Sequence, residues 1–439
     1  MSNKPIFYIT LFEKQLVRSY LFSDQGSFMK EISEYYRINI ITSKNLKKQI
    51  DVSLIEFGLN TFALSTTFEN YQDNYFAKLI SSIFRYGNKN LVTIQYIHFQ
   101  KSLGSSLFKT ILRYCIYFSI TNLYFLKKFL RYLYYISVRT RSIKNCFYPQ
   151  VTLDDKSVLF VTSLTPLRGE DSPIAVFFKK QKVPIIASVR SWDNLITNGA
   201  IHFLPDLFLC HSEYMLNGAI VQQGLKADKV LMAVAPSYQS KFLQNRPIVE
   251  AKTIKFSYMC QGTVVNPDDR NFVEWLVNIW TEMPANYELF IVQHPSFQMH
   301  DLEINLVNNI EFLTFPYDET SLTEYYSHLC KMNLVLGGGT TGLLDAGFLG
   351  IPVVAIGFEI QVQNYWQSAL RYFDYFPWTA DFFSDSKITV AKSRENLLSI
   401  ITDYKNIQPL DKKVVTKYTG NPEINLSNLI LGALLESKD

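Results

Sequence analysis

The sequence predicts an α/β protein built on parallel sheets, and three observations carry that prediction. Apolar runs of strand length alternate with helical patterns through both halves of the chain. Residues 333–358 (NLVLGGGTTGLLDAGFLGIPVVAIGF) form a complete β–loop–α–β unit: an apolar run, a glycine loop, two threonines opening a short apolar helix, Gly350 closing it, and Pro352 starting the next apolar run. At 439 residues with 48% hydrophobic and 19% charged side chains, the chain is long enough for two or three such domains, each with its own core.

The first half opens with a buried-strand pattern at 5–12 (PIFYITLF), a helix at 28–35 and a strand at 38–42. The loop after the first strand carries Arg18, at the sheet edge where open α/β sheets bind ligands; it can meet an anionic group or be a solvated loop arginine. Residues 66–86 read as a helix and 91–99 (LVTIQYIHF) as a strand. The composition then changes. The segment 107–141 is crowded with Tyr, Phe, Leu and Ile, carries Arg113, Lys127, Lys128, Arg131, Arg139 and Arg141, and has no acidic residue. Such a segment can lie on an anionic membrane surface, or cover the sheet as a helix pair with its lysines exposed.

Strands follow at 157–161 and 183–188, separated by a helix over about 173–180. Asp171 and Pro173 give the opening signal of that helix, with Glu170 at its mouth. The second of these strands ends in Arg190-Ser191-Trp192-Asp193-Asn194. Asp193 can take a proton from an acceptor hydroxyl, Asn194 can fix that carboxylate or a sugar hydroxyl, and Trp192 can stack on a pyranose face. The alternative is that Asp193 and Asn194 only cap the next segment. A strand at 205–210, a helix at 213–222 and a strand at 229–233 close the first half. A polar linker at 236–250 marks the boundary, so that 1–240, 251–380 and a helical tail at 381–439 are the expected divisions.

The second half repeats this grammar: a strand at 254–259, a small-residue loop at 260–263 that includes Gly262 and Thr263, a helix at 270–283, and a strand at 287–292. That strand runs into Gln293-His294-Pro295, where His294 can bind a phosphate oxygen and Pro295 fixes the turn that aims it. A short strand at 310–313 and a helix at 322–330 lead into the glycine unit. In that unit Gly338 and Gly339 allow close approach of backbone N–H groups, and Thr340 and Thr341 add hydroxyls at a helix N-terminus, which suits a phosphate or diphosphate. Asp345, one turn on, can accept hydrogen bonds from ribose hydroxyls. A tight turn with threonine caps would read the same way. Residues 360–374 read as a helix, and 393–437 as an amphipathic helical tail without chemistry.

Gly337, Gly339 and Gly342 also satisfy G-x-G-x-x-G, with Glu359 near the end of the following strand. The helix there has only about eight residues and lies late in the chain, which favours a nucleotide diphosphate over a redox dinucleotide. The net charge of +4 is small and read as evenly spread, which argues against a nucleic-acid partner. Five widely separated cysteines without a C-x-x-C pair point to a reducing cytoplasm. No signal peptide and no apolar run of 18 residues is found, so the expected location is cytoplasmic or peripheral to a membrane.

Taken together, Ser191-Trp192-Asp193-Asn194, His294-Pro295, and the Gly-Gly-Gly-Thr-Thr loop followed by Asp345-Ala-Gly-Phe-Leu-Gly-Ile-Pro-Val353 resemble the GT-B glycosyltransferase superfamily. The similarity is greatest to bacterial members that build surface polysaccharides such as capsule and O-antigen, a group related to UDP-N-acetylglucosamine 2-epimerases and CDP-glycerol transferases. It spans the chain from the first strand to about Phe373.

The resemblance implies two Rossmann-like parallel-sheet domains facing across a cleft, with a nucleotide-sugar donor held mainly by the second. His294, Pro295, Gly262, Thr263 and the loop Gly338, Gly339, Thr340, Thr341 would hold the donor phosphates. Asp345 would stand where such families carry a Glu, one methylene longer, for the ribose. Asp193 and Asn194 would be catalytic, and Arg18, Trp192 and Asp171 would meet a glycan or lipid-linked acceptor. Such enzymes work without a metal or other cofactor, and the sequence holds no Asp-x-Asp; its adjacent pairs Asp154/Asp155 and Asp268/Asp269 point apart on a strand or helix. Rival readings are a nucleotide-sugar epimerase, a polyol-phosphate transferase, and a non-catalytic GT-B-shaped subunit of a polysaccharide assembly complex.

Overall fold

The computed structural model describes residues 4–22, 27–154, 156–165, 170–191, 194–197, 199–238, 253–262, 266–294, 309–316, 321–339, 341–368, 370–374 and 377–436. Internal contacts divide the chain into two units. One comprises Met1–Ile97, Ser106–Ser240 and Gly420–Asp439, the other His98–Ser105 and Lys241–Thr419.

The first unit holds the strands β1 (Ile6–Leu11), β2 (Arg37–Thr42), β3 (Ala63–Phe68), β4 (Phe147–Tyr148), β5 (Val158–Val161), β6 (Ile185–Ala187), β7 (Leu207–Cys210) and β8 (Val230–Met232). They pair in the order β4-β3-β2-β1-β5-β6-β7-β8, parallel throughout except for β3 with β4. Every residue of β1 and β5 is buried, the signature of a parallel strand covered on both faces. The core around Phe7, Ile9, Leu11 and Phe160 also takes in Leu426, Ile430 and Leu434 of the helix Leu426–Glu436.

The second unit holds β9 (Ile254–Met259), β10 (Tyr287–Gln293), β11 (Ile310–Thr314), β12 (Leu334–Gly337), β13 (Val353–Ile356) and β14 (Thr389–Ala391), all parallel, in the order β11-β10-β9-β12-β13-β14. Trp280 of the helix Asp269–Trp280 is fully buried and packs edge-on against Phe256 at 5.3 Å between ring centroids. The fold is therefore the expected one, two parallel-sheet α/β units of the GT-B type.

Four expected elements differ. Residues 91–99 are not a strand but the start of the helix Leu91–Ser102: Asn90 Oδ1 accepts the Thr93 N–H at 3.0 Å, and this cap outweighs the β-branched composition. The expected helix 66–86 is divided, because Thr66, Thr67 and Phe68 belong to β3 and the helix begins only at Tyr75, where Asn74 Oδ1 accepts the Ala77 N–H at 2.9 Å. Residues 360–374 form a 3-10 turn at Tyr365–Gln367 and a short helix at Arg371–Asp374. Asp268 holds the Ile360 and Gln361 N–H groups at 2.6 and 3.1 Å, which removes the start of the expected helix. The stretch 381–439, expected as one tail, contributes β14 and the helices Arg394–Thr402 and Lys412–Thr419 to the second unit, whereas 420–439 groups with the first.

Candidate functional site: the carboxyl edges of the two sheets

In the second sheet β10 lies on one side of β9 and β12 on the other, so the strand order changes direction beside β9. Helices following two neighbouring strands then leave to opposite faces, which opens a crevice at the carboxyl ends. The register aligns Val292 and Gly337 with Met259, so one edge carries His294 after β10, Cys260 to Gly262 after β9, and Gly338, Gly339 and Thr341 after β12. Thr341 starts the eight-residue helix Thr341–Phe348, whose first-turn N–H groups face this edge. Gly350 closes that helix with φ 70°, as its place in the sequence suggests.

The glycines are met closely by the protein's own side chains. A Cβ on Gly338 would stand 2.5 Å from Gln261 Oε1, and one on Gly339 would stand 2.9 Å from the Tyr372 ring. Gln261 is 5% exposed, and its Oε1 has no hydrogen-bond partner among the described residues. A buried amide left in this state calls for a partner. The crevice between Gly338, Tyr258, Asp268 and Glu359 encloses only about 10 Å³, room for one water.

The paired aspartates shape the edge. Asp269 accepts the Tyr258 hydroxyl at 2.6 Å and the Gly262 N–H at 2.8 Å, holding Gly262 at φ 81°, where only glycine sits without strain. Burial pushes its pKa up to about 6, against the opposing pull of the Tyr258 hydrogen bond. Asp268 accepts the Ile360 and Gln361 N–H groups and the Asn271 amide at 2.8 Å. These two carboxylates are therefore engaged in fixing loops.

In the first sheet the corresponding change of direction lies between β1 and β5. It is bridged by the Thr162 N–H to Thr10 Oγ1 at 3.2 Å, and nearby Arg190 pairs with Glu13 at 2.7 Å. A pocket of about 390 Å³ opens at the end of β3, lined by Phe68, Glu69, Tyr71, Asp73, Lys78 and Glu170. Tyr71 donates to Asp73 at 2.8 Å, and burial raises the pKa of Asp73. Sequence reasoning missed this pocket because it placed 69–73 inside a helix. The polar run Glu69-Asn70-Tyr71-Gln72-Asp73 ahead of the capping Asn74 is the signal that marks it.

Of the expected site residues, Gly262, His294, Gly338, Gly339 and Thr341 share the second sheet's carboxyl edge. Asp345 accepts the Tyr325 hydroxyl at 2.9 Å, so one of its oxygens is tied to the helix Ser321–Cys330. Trp192, Asp193, Thr263, Pro295 and Thr340 lie outside the described residues. Asn194 is buried and its Oδ1 accepts the Ser191 N–H at 3.2 Å. Arg18 begins a π-turn at Arg18–Phe22 and is partly buried. Asp171 is 2% exposed at the start of the helix Asp171–Lys180, and it is its neighbour Glu170 that lines the pocket together with Glu69 and Asp73.

Two parallel-sheet units, each with a change of strand direction at its carboxyl edge, define the GT-B fold class. Solved structures agree with that class. One is a Listeria monocytogenes protein assigned as a UDP-N-acetylglucosamine 2-epimerase, 9% identical, with alignment over 100% of this chain and 97% of that one and a TM-score of 0.51. Another is Staphylococcus aureus MnaA in complex with UDP, 11% identical over 99% and 97%, with a TM-score of 0.50. A spinosyn rhamnosyltransferase complexed with thymidine diphosphate matches more weakly, 12% identical over 99% and 96%, with a TM-score of 0.38. No family model matches the sequence, and no curated protein matches it.

Proposed function

We propose that the protein is a metal-independent glycosyltransferase that moves a sugar from a nucleotide-sugar donor to a hydroxyl of a growing surface glycan or lipid-linked acceptor. The observation that carries the donor half is the buried Gln261 amide facing Gly338 where the second sheet changes direction. With its amide turned, Gln261 offers N–H to a phosphate oxygen beside the first-turn N–H groups of the Thr341 helix. Proteins sharing this fold include one solved with UDP, which supports a uridine or related nucleotide.

In this reading His294, the Gly338–Gly339–Thr340–Thr341 loop and Gly262–Thr263 meet the charge that develops on the departing nucleoside diphosphate. The acceptor oxygen attacks the anomeric carbon as the bond to the diphosphate breaks, and its proton passes to Asp193. Asn194, next to Asp193 in sequence, accepts the Ser191 N–H. Trp192, Arg18 and the Glu69–Asp73 pocket receive the acceptor. That pocket favours transfer over epimerisation of a free nucleotide sugar, which needs no second substrate site. A polyol-phosphate donor would use the same donor edge. The widely separated cysteines support a reducing compartment for the reaction.

The test is a thermal-shift panel against UDP, CMP, CDP, GDP, dTDP and NAD on the wild type, His294→Ala and Asp345→Ala. A ligand at 100 times its Kd adds about 2.7 kcal/mol, a readily measured shift. A shift with one nucleoside phosphate that His294→Ala abolishes supports the donor site. A shift with NAD alone overturns it in favour of a dinucleotide protein, and no shift supports the non-catalytic subunit. Incubation of the bound nucleotide's sugar conjugate without acceptor then separates the enzymes: interconversion at C2 signifies an epimerase.

A further inference from the structure

We infer that one outward face of the first unit docks onto an anionic phospholipid surface. The face is made by the helices Tyr75–Phe84, Leu107–Asn122 and Tyr124–Ser137, the last of which packs against both of the others. Each has apolar side chains on two sides. In the Leu107 helix, Thr110, Tyr117 and Ile120 are buried, while Leu107, Phe108, Ile111, Leu112 and Phe118 recur at helical spacing on the opposite side and are 48–75% exposed. In the Tyr124 helix, Leu130 and Tyr134 are buried, and Phe125, Phe129, Tyr132 and Ile136 are 50–67% exposed. Tyr75, Phe76 and Leu79 continue the pattern on the third helix. Twelve of the 23 exposed large hydrophobics among the described residues lie on these three helices, a concentration that marks an interaction face.

The charge of the chain is segregated in the same region, which corrects the even spread read from the total. From Asn74 to Leu153, 80 residues include twelve Lys and Arg and no Asp or Glu, whereas the rest of the chain carries 31 basic against 39 acidic residues. The structure sorts these cations. Lys127 donates to the Gln222 carbonyl at 3.0 Å, and Arg131 to the Ile201 and Gln223 carbonyls at 3.0 and 2.9 Å, so both hold the helix to the body. Lys78, Lys109, Lys128, Arg139, Arg141 and Lys144 are exposed.

Aliphatic and aromatic side chains framed by lysine and arginine match the acyl boundary and phosphate headgroups of an anionic bilayer. A second copy would bring two faces of like charge together. Nucleic acid would satisfy the cations but offer nothing to Leu107, Ile111, Leu112 and Ile136. No helix among the described residues is long and apolar enough to cross a membrane, so the contact is at the surface.

This inference does not depend on the reaction catalysed, and its test reads no nucleotide. The full chain is floated with vesicles of phosphatidylcholine alone or with 30% phosphatidylglycerol at low salt, alongside Phe108→Gln/Phe129→Gln and Lys109→Gln/Lys128→Gln, with melting temperatures as the folding control. The expected result is flotation with the anionic vesicles, release by 1 M salt, and roughly fivefold weaker binding per lysine removed. At least tenfold weaker binding is expected of the phenylalanine pair, which loses two buried rings, with unchanged melting of both variants. Wild-type protein that fails to float, or that floats equally with neutral vesicles, overturns the inference. So does a dimer in sedimentation velocity that the phenylalanine variants dissociate.

Discussion

Gln261 and Gly338 face each other across the point where β9 and β12 diverge, so closely that a Cβ on residue 338 would lie 2.5 Å from Gln261 Oε1. The side-chain amide fills the space that the missing Cβ leaves. Gly338→Ala is therefore expected to displace the flexible end of Gln261 and to cost about 1 kcal/mol, the low end for an overpacked contact. Gln261→Ala should be nearly neutral, since it removes a buried oxygen that has no partner among the described residues. In the double variant most of the Gly338→Ala cost should vanish. A urea-denaturation double-mutant cycle with no coupling between the two positions contradicts the geometry.

Asp268 takes three hydrogen bonds, two of them from the backbone of Ile360 and Gln361. Asp268→Ala leaves those N–H groups unpaired at the sheet edge and is expected to cost about 3 kcal/mol in urea denaturation. Asp268→Asn keeps one acceptor and should cost less. Equal stability of all three proteins would show that the loop holds itself.

His211 is buried and hydrogen-bonded through Nε2 to Ser188 Oγ at 2.8 Å, while that hydroxyl donates to the Leu209 carbonyl at 3.0 Å. Nε2 therefore carries a proton, and burial, which disfavours the charged imidazolium, lowers the pKa to about 4. An imidazole pKa lowered by folding contributes stability above the unfolded value near 6.5 and loses it as pH falls towards 4. About 3 kcal/mol is at stake across that window. His202, lowered by burial to about 3, acts in the same direction. His211→Gln should flatten the acid limb of the stability profile, and a profile as steep as the wild type's between pH 6.5 and 4 counts against this assignment.

Arg131 supplies hydrogen bonds to two carbonyls from the inner side of its helix. Arg131→Ala should destabilise the protein by about 2–3 kcal/mol, leaving both carbonyls unpaired, while vesicle binding of the folded fraction stays unchanged. Weaker vesicle binding with unchanged stability would place this cation on the outer face instead.

The elements legible in the sequence were those whose own pattern is complete. The 333–358 unit shows its strand, helix and closing Gly350 in the sequence because apolar runs, a helix-opening threonine and a left-handed glycine are each local signals. Residues 91–99 and 66–86 differ from the expectation because β-branched composition and helical spacing compete within one short run, and single capping residues, Asn90 and Asn74, decide the outcome. The Glu69–Asp73 pocket disappeared with that error.

By itself the sequence determined the alternation of parallel strands and helices, the carboxyl-edge position of His294 and the glycine loop, and the absence of acidic residues around the aromatic helices. These follow from periodicity, punctuation and composition, which act over a few residues. Only the tertiary structure decided that Asp268 and Asp269 fix loops, that Gln261 fills the space beside Gly338, that Asp171 is buried while Glu170 is not, and which cations of the basic segment face inward. Each of these depends on a partner distant in sequence or on how the chain packs around a side chain, and burial or a buried hydrogen bond is settled only when the whole chain has packed.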